Sequence, residues 1–342
     1  MSLSLDAIAS RLAAFLARET GGDVRVERLR HLAGGASRAA IAFDATIQGG
    51  HGAGEHHCVL RLDLGGQIYE TSLSRAEEFQ VIALARAGGV PVPEPLWTSS
   101  DPAVLERPFL ILERVEGETI GRRIVQLPEL GGARRALPAQ MGRALAFIHK
   151  LEARRAPYLP GPGDISAAQI VLDRSVQELD KVDGAHPGLE AGLAWLRRHR
   201  PTQEDRVLVH GDFRLGNMIV GPEGLRSVLD WEFSSVGDPH EDLAWPFVRD
   251  WRFGLDAKRF AGISDGEDFL TAYEAESGRR VDRARLAYWE VVGNFRWALG
   301  CLTQAHRHLS GAEPSVELAS LGRRSGEMQL EMLDLIDHIS KR

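Results

Sequence analysis

The length, composition and charge of the chain describe a globular protein and exclude several other classes. It has 342 residues, of which 44% are hydrophobic and 26% charged, and its 41 basic and 48 acidic residues give a net charge of −7. This length suits about two domains of ~100 to 200 residues each. The acidic balance disfavours nucleic-acid binding, and no apolar stretch approaches the ~18 residues of a membrane-spanning helix.

The first predicted helix is amphipathic. Its apolar side chains fall on one face: Leu5, Ile8, Leu12 and Phe15. Asp6 lies among them without a basic leader, which differs from the apolar core of a secretory signal, so we expect a cytoplasmic protein. Cys58 and Cys301 lie far apart and lack the paired spacing of a zinc site or a disulfide framework. We therefore predict two buried thiols.

The first third of the chain has the pattern of strands around one helix. Three apolar runs rich in β-branched residues, separated by glycine-rich turns, predict an antiparallel meander: Val24–Leu29, Ala39–Ile47 and Cys58–Leu62. A helix is predicted from Ser74 to Ala87, where Gly88 and Gly89 end it. A proline-rich stretch then leads to the apolar run Phe109–Leu112.

After Gly117 the helical period dominates. Helices are predicted at Arg134–Leu151, Ala168–Val182, Leu189–His199, Pro239–Asp250, Asp282–His306 and Pro314–Ile339, with one short hairpin inside Arg206–Trp231. The predicted fold class is therefore α+β, with a small antiparallel β-rich lobe at residues 1–114 and a larger, mainly helical lobe at residues 115–342. Ligands favour the cleft between two such units.

The most informative segment runs from His210 to Asn217 and reads His-Gly-Asp-Phe-Arg-Leu-Gly-Asn. Asp230 comes thirteen residues after Asn217. Between them, the apolar runs Met218–Val220 and Leu225–Leu229 flank a Gly-Pro-Glu-Gly turn, which predicts a β-hairpin. Strand pairing would bring Asn217 and Asp230 close together.

This arrangement suits metal-assisted transfer of a phosphoryl group. The amide oxygen of Asn217 and the carboxylate of Asp230 are hard ligands that can hold Mg²⁺, which keeps its other positions for water and phosphate oxygens. Asp212, on the loop before them, can accept the proton of an attacking hydroxyl while the metal neutralises phosphate charge.

The same residues resemble a known family. The protein-kinase catalytic loop has His-Arg-Asp, four residues and Asn, followed by a metal-binding Asp, and this chain has Gly211 in place of Arg. His-Gly-Asp with the downstream Asp-Trp-Glu and Gly-Asp-Pro-His-Glu-Asp-Leu-Ala-Trp segments resembles the aminoglycoside phosphotransferase family, small-molecule kinases with a two-lobed protein-kinase-like fold. The resemblance implies that Asp212 is the catalytic base, that Asn217 and Asp230 bind the metal, and that Asp242 supports the loop.

Other residues of the segment have competing interpretations. His210 could act as a general base, but the resemblance favours a loop-shaping role. Glu232 could be a third acidic contact or point to solvent. Asp238, directly before Pro239, is predicted to cap a helix.

In the first lobe the resemblance implies a nucleotide site. The candidate phosphate loop is Gly34, Gly35, Ala36 and Ser37, although a ligand-free hairpin turn fits the same spacing. Arg61 falls where the kinase pattern has a phosphate-pairing Lys, and its expected helix partner is Glu78, with Glu77 as the alternative. The segment from Phe109 to Gly117 would be the hinge that reads the adenine edge, and Glu113 and Val115 are its candidate contacts; a plain buried strand is the alternative. His51, His56 and His57 are expected on a surface loop rather than at a metal.

The acceptor is harder to predict. Residues 281–342 carry eight acidic residues against eight Arg or Lys, so the chain lacks the acidic surface expected for polycationic antibiotics. The sequence is more similar to bacterial phosphotransferases without an assigned acceptor and to the kinase-like domains attached to some acyl-CoA dehydrogenases.

We therefore expect transfer of the γ-phosphate of ATP, with Mg²⁺, to a hydroxyl of a partly apolar small molecule. GTP in place of ATP, a nucleotide-binding pseudokinase, and transfer of AMP on the same fold stay open as alternatives. The oligomeric state also stays open.

Overall fold

A five-stranded antiparallel sheet forms the first part of the fold. The computed structural model describes residues 3–32, 38–63, 72–202 and 205–341, with residues 38 and 39 described for their backbone. The sheet has the strand order β1-β2-β3-β5-β4. Its strands and the helices of the same region are α1 (Leu5–Thr20), β1 (Asp23–His31), β2 (Arg38–Gln48), β3 (Gly54–Asp63), α2 (Arg75–Ala87), β4 (Pro95–Ser99), α3 (Pro102–Leu105) and β5 (Phe109–Glu113).

The remainder is mainly helical. Its helices are α4 (Gly121–Gln126), α5 (Gly131–Lys150), α6 (Ala167–Leu179), α7 (Pro187–Arg198), α8 (Pro239–Ala244), α9 (Glu267–Ser277), α10 (Arg283–Leu309), α11 (Val316–Leu321) and α12 (Ser325–Ser340). Two small antiparallel sheets lie among them, β6 (Val207–Val209) with β9 (Ser235–Gly237) and β7 (Met218–Gly221) with β8 (Gly224–Val228). The predicted α+β class is confirmed. No helix in the described ranges combines the length and apolar character needed to cross a membrane.

The strand predictions hold best where local signals are strong. The meander β1-β2-β3 and the β7-β8 hairpin with its Gly221-to-Gly224 turn are both present. The β4 strand was missed because it is short and begins with Pro95, and its place at the edge of the sheet is where a strand tolerates proline.

Two helix predictions are wrong in their extent. The helix predicted to reach Asp250 ends at Ala244 and continues as separate 3₁₀ turns, because Pro246 has no N–H to extend an α-helix. The helix predicted over Pro314–Ile339 is two helices joined by a 3₁₀ turn at Gly322–Arg324. The α9 helix was missed altogether.

Strand β5 joins the two hydrophobic cores. Phe109 and Ile111 pack in the core under α1, whereas Leu110 and Leu112 belong to the larger core that extends through the helices. Alternate side chains of a strand point to opposite faces of the sheet, so one short strand serves both cores. Both predicted thiols, Cys58 and Cys301, are buried. The boundary near residue 114 stays a prediction.

Helix α5 passes very close to α9 at Gly142. A Cβ atom on Gly142 would lie 2.2 Å from the backbone oxygen of Phe269. We predict that Gly142→Ala lowers the free energy of unfolding by about 1 to 3 kcal/mol in urea denaturation, because the helices must separate. Gly326→Ala in α12, where a Cβ meets nothing within 4 Å, is the control and should be neutral or slightly stabilising. Equal effects of the two variants would contradict the close packing.

Candidate functional site

A buried carboxylate on α8 holds the loop at residues 210–217 in place. Asp242 is completely buried. Its Oδ2 accepts a hydrogen bond from the backbone N–H of His210 at 2.6 Å, and its Oδ1 accepts one from the N–H of Gly211 at 2.9 Å. Hydrogen bonds from two successive amides fix the backbone direction at the start of the loop.

The same carboxylate is tied to helix α5 through His149. The His149 Nε2 atom lies 3.2 Å from Asp242 Oδ2, and its Nδ1 lies 2.8 Å from the hydroxyl of Tyr273 on α9. Burial alone would raise the pKa of Asp242, but the hydrogen bonds from His149 and the His210 backbone outweigh it and the pKa is lowered. Burial lowers the pKa of His149 despite Asp242. A neutral His149 therefore donates to Asp242 and accepts from Tyr273.

The side chain of His210 is used entirely within the loop. Its Nδ1 lies 3.2 Å from the backbone nitrogen of Asp212, which donates to it, and its Nε2 lies 2.9 Å from the carbonyl oxygen of Leu229. The Nε2–H group therefore donates to Leu229. With both ring nitrogens occupied, the alternative of His210 as a general base has no geometric support.

Gly211 is required by the backbone at this point. Its φ is +82°, and a Cβ atom would lie 2.4 Å from the carbonyl oxygen of Phe233. Only glycine adopts this conformation readily, and no side chain fits the space. The departure from the protein-kinase pattern therefore has a local steric reason.

Three N–H donors converge on the carboxylate of Asp212. Its Oδ1 accepts from Trp245 Nε1 at 2.6 Å and from Arg214 Nε at 3.0 Å, and its Oδ2 accepts from Asn217 Nδ2 at 2.6 Å. A carboxylate offers about four lone-pair directions, so one is left for an incoming hydroxyl. The side chain is 15% exposed and faces a cavity.

Asn217 is oriented by its neighbours. Its Nδ2 donates to the backbone oxygen of Asp212 at 3.0 Å as well as to the Asp212 carboxylate. Because both neighbours only accept, the amide nitrogen must face them, and the amide oxygen points the other way. The hairpin register pairs Met218 with Val228, and Leu229 donates to the Asn217 carbonyl at 2.8 Å. Asn217 and the residue before Asp230 are thus adjacent.

Asp230 meets the predicted strand cation. Arg61 on β3 lies 2.5 Å from Asp230 Oδ1 through Nη2 and 3.3 Å from Glu78 Oε1 through Nη1. Burial would lower the pKa of Arg61, but these two carboxylates outweigh it and the pKa is raised. Glu77, the alternative partner, instead completes the capping box of α2 with Ser74. The structure therefore pairs Arg61 with Glu78.

A second buried arginine supports this pair. Arg75, in the first turn of α2, donates to Glu78 Oε2 and lies 2.8 Å from Asp63 Oδ1 through Nε. Glu78 thus lies between two guanidinium groups that fix its side chain. The role of Arg75 was not predicted, because an arginine at the start of a helix is usually solvated.

The other predicted nucleotide contacts are the phosphate loop and the hinge. Gly34, Gly35, Ala36 and Ser37 lie outside the described residues. In the segment predicted to be the hinge, the exposed side chain of Glu113 accepts from the backbone N–H of Glu94 at 3.2 Å, and Val115 is half-buried. After it, Glu118 exchanges two backbone hydrogen bonds with Val220, which ties the hinge to the β7-β8 hairpin.

The histidine prediction needs a small correction. His51 lies in the turn between β2 and β3, but His56 and His57 are part of β3, where His57 Nδ1 lies 2.7 Å from Asp44 Oδ1. Across the described ranges, no three His, Cys, Asp or Glu side chains come together as a metal-binding group.

The structure also decides between the interpretations of Asp238 and Glu232. Asp238 caps α8 through the N–H of His240, as predicted. Glu232 is buried, so the solvent-facing interpretation is wrong.

A cavity of about 560 Å³ opens beside Asp212. Its walls come from one face of α6, one face of α10 and the strand β9. Glu241 and Arg296 in this wall form an ion pair at 2.7 Å, and Arg296 also stacks on Trp245. The cavity therefore gives a small molecule access to the Asp212 carboxylate.

The sequence missed His149 and Trp245 as site residues. Each acts through one hydrogen bond to a carboxylate far away in sequence, to Asp242 and Asp212 respectively. For Trp245 the sequence offered only a weak signal, which is that the indole N–H of a buried tryptophan needs a hydrogen-bond acceptor.

Solved structures share this fold. A protein from Ralstonia eutropha named after aminoglycoside phosphotransferases superposes with a TM-score of 0.73 at 21% identity, over 96% of this chain and 98% of that chain. A thermostable mutant of aminoglycoside phosphotransferase APH(4)-Ia, in ternary complex with ADP and hygromycin B, gives a TM-score of 0.61 at 18% identity, over 93% and 97% of the two chains. The chain thus has the two-lobed, kinase-like α+β fold of these enzymes.

The family follows from the sequence match. The model of the phosphotransferase enzyme family matches residues 29–289, and the chain belongs to that family. Acyl-CoA dehydrogenase family member 11 of Gallus gallus is 32% identical over 293 residues, which are 80% of this chain and 37% of that protein. The chain therefore spans little more than a third of the length of this relative.

The burial of neutral His149 predicts a pH dependence of stability. Because the pKa of His149 is lowered in the folded state, the unfolded chain binds its proton first as the pH falls below about 6.5, and stability decreases by up to ~1.4 kcal/mol per pH unit. We expect His149→Gln to be less stable at pH 7 but to have a flatter dependence between about pH 6.5 and 5. The measurement is urea denaturation across this range, and an unchanged slope would contradict the neutral state.

Proposed function

We propose that this chain is an ATP-dependent phosphotransferase that transfers the γ-phosphate to a hydroxyl group of a small molecule. Asp212 is the base that accepts the hydroxyl proton, and His210 and Asp242 position its loop. The lobe at residues 1–114 binds the nucleotide, and the lobe at residues 115–342 binds the acceptor. GTP is an alternative donor.

One observation carries the proposal. Asp212 accepts three hydrogen bonds that fix both carboxylate oxygens, and it faces a cavity large enough for a small molecule. A base must lie within hydrogen-bond reach of the proton that it removes, and a rigid carboxylate facing the acceptor space meets this need. Arg214 and Trp245 both donate to Oδ1 of this carboxylate.

The oxygen donors of Asn217 and Asp230 fit Mg²⁺. The Asn217 amide oxygen is directed away from Asp212, and the Asp230 carboxylate lies at the end of the same hairpin. Both are hard ligands of the kind Mg²⁺ prefers, and when bound the ion neutralises charge on the phosphate oxygens. Asp230 also contacts Arg61, so the cation on β3 lies next to this proposed metal ligand.

Arg61, positioned by Glu78, is the proposed phosphate contact of the small lobe. Its guanidinium is held between Glu78 and Asp230 and offers further N–H donors to a phosphate. Gly34, Gly35, Ala36 and Ser37 are the proposed phosphate loop. Glu113 and Val115 are the proposed backbone contacts to the adenine edge.

The assignment of the base predicts a separation of turnover from nucleotide binding. We expect Asp212→Asn to reduce turnover by about 10² to 10⁴-fold, because proton acceptance is lost, while the Kd for Mg·ATP changes by less than about threefold. Asp230→Ala should instead weaken Mg·ATP binding by at least about tenfold. Kinetics with an acceptor and calorimetric titration of nucleotide provide the two measurements.

Asp268→Ala, at an exposed position of α9, is the matched control and should behave as the unaltered chain. Full turnover in Asp212→Asn would remove the base assignment. Unchanged Mg·ATP binding in Asp230→Ala would remove the metal assignment.

A further inference from the structure

Among the described residues, the charged side chains that line the cavity beside Asp212 form ion pairs, with one exception on α6. The helix contributes one face to the cavity, at positions four residues apart: Ile170, Arg174 and Glu178. Glu178 pairs with Lys181 at 2.7 Å. On the opposite wall Arg296 pairs with Glu241.

Arg174 lines the cavity but does not pair with a carboxylate of the described residues. Within the described part of the chain it has no hydrogen bond or ion pair, and its exposed side chain lines the cavity. The pKa of Arg174 is lowered by partial burial and by the nearby charge of Arg296, while Glu241 opposes this shift weakly. Arg174 is thus an exposed cation on the cavity wall, close enough to Arg296 for the two positive charges to repel each other.

The rest of the wall has both polar and apolar residues. Its apolar residues include Ile170 and Val171 of α6, Trp297 and Leu299 of α10, and Val236 of β9. Such a surface accepts a hydrocarbon body, which gains affinity from the apolar area removed from water. A cavity-lining cation that has no ion-pair partner among the described residues favours an anion on the bound molecule, since a guanidinium group forms bidentate charge-assisted hydrogen bonds with a carboxylate or a phosphate.

We propose that Arg174 binds an anionic group, a carboxylate or a phosphate, on an acceptor that has an apolar body and a hydroxyl facing Asp212. This inference rests on the proposed phosphotransferase function for the hydroxyl, but the anion site itself is independent of it. Arg174 then acts as a specificity residue: it selects anionic over neutral and cationic acceptors and sets which hydroxyl reaches the base.

A binding experiment tests the anion site without requiring turnover. The probes are octanoate, octyl phosphate, neutral methyl octanoate and octylamine, titrated against the whole chain by tryptophan fluorescence, because Trp245 and Trp297 line the cavity. We expect at least one anion to bind about 10- to 100-fold more tightly than the methyl ester. Whether octanoate or octyl phosphate binds more tightly distinguishes the two anion classes.

Variants at Arg174 give the decisive comparison. Arg174→Met should bring the anions to within about twofold of the methyl ester, and Arg174→Lys should keep part of the preference. Arg143→Met, at an exposed position of α5 away from the cavity, is the matched control and should leave the preference unchanged. Equal binding of anions and ester by the unaltered chain, or an unchanged preference in Arg174→Met, would overturn the proposal.

A second arm separates this inference from the proposed function. Hydroxylated derivatives of the four probes are offered with Mg·ATP, and Arg174→Met is expected to raise KM for the anionic acceptors about 10- to 100-fold with kcat changed less than about threefold. If anions bind through Arg174 but no derivative is phosphorylated, the anion site stands and the phosphotransferase proposal fails. If neutral and anionic derivatives are phosphorylated with equal KM, the anion site fails and the phosphotransferase proposal stands.

Discussion

The hydrogen bonds from the backbone of His210 and Gly211 to the buried carboxylate of Asp242 are the constraint on which the site depends. They set the direction of the loop that carries Asp212. A buried carboxylate is costly unless every oxygen is paired, and His149 supplies the remaining donor. Helix α8 therefore supports the loop of Asp212 through the backbone, while α5 supports α8 through His149. The loop that carries the proposed base is thus held by residues outside the cavity lining.

The sequence predicted the components of the site better than their supports. The segment around Asp212 and Asn217 is short, and its chemistry follows from residue type and spacing along a loop and a hairpin. The Arg61–Glu78 pair was also predicted, although only the structure separates Glu78 from the capping residue Glu77. The supporting residue His149 was missed because its contact to Asp242 joins positions 93 residues apart, which local pattern cannot show.

The fold shows the same limit of local pattern. The predicted α+β class and the β1-β2-β3 meander depend on strand periodicity and turns, and both are present. The helix predicted to reach Asp250 was too long because Pro246 interrupts a favourable helical pattern after α8. The ion pairs around the cavity could not be predicted from the sequence either, because α6, α10 and β9 come together only in the folded chain. Among the described residues Arg174 has no ion-pair partner, because Glu178 pairs with Lys181 and Glu241 pairs with Arg296.

We propose above all that the chain transfers a phosphoryl group from ATP to a hydroxyl. The most direct test is ³¹P NMR of the chain with ATP, Mg²⁺ and a panel of hydroxylated acceptors. We predict a new phosphate monoester resonance that requires Mg²⁺ and grows in step with ADP. Formation of pyrophosphate together with an AMP diester would contradict this claim and indicate AMP transfer, and bound ATP that stays unchanged with every acceptor would indicate a nucleotide-binding module instead.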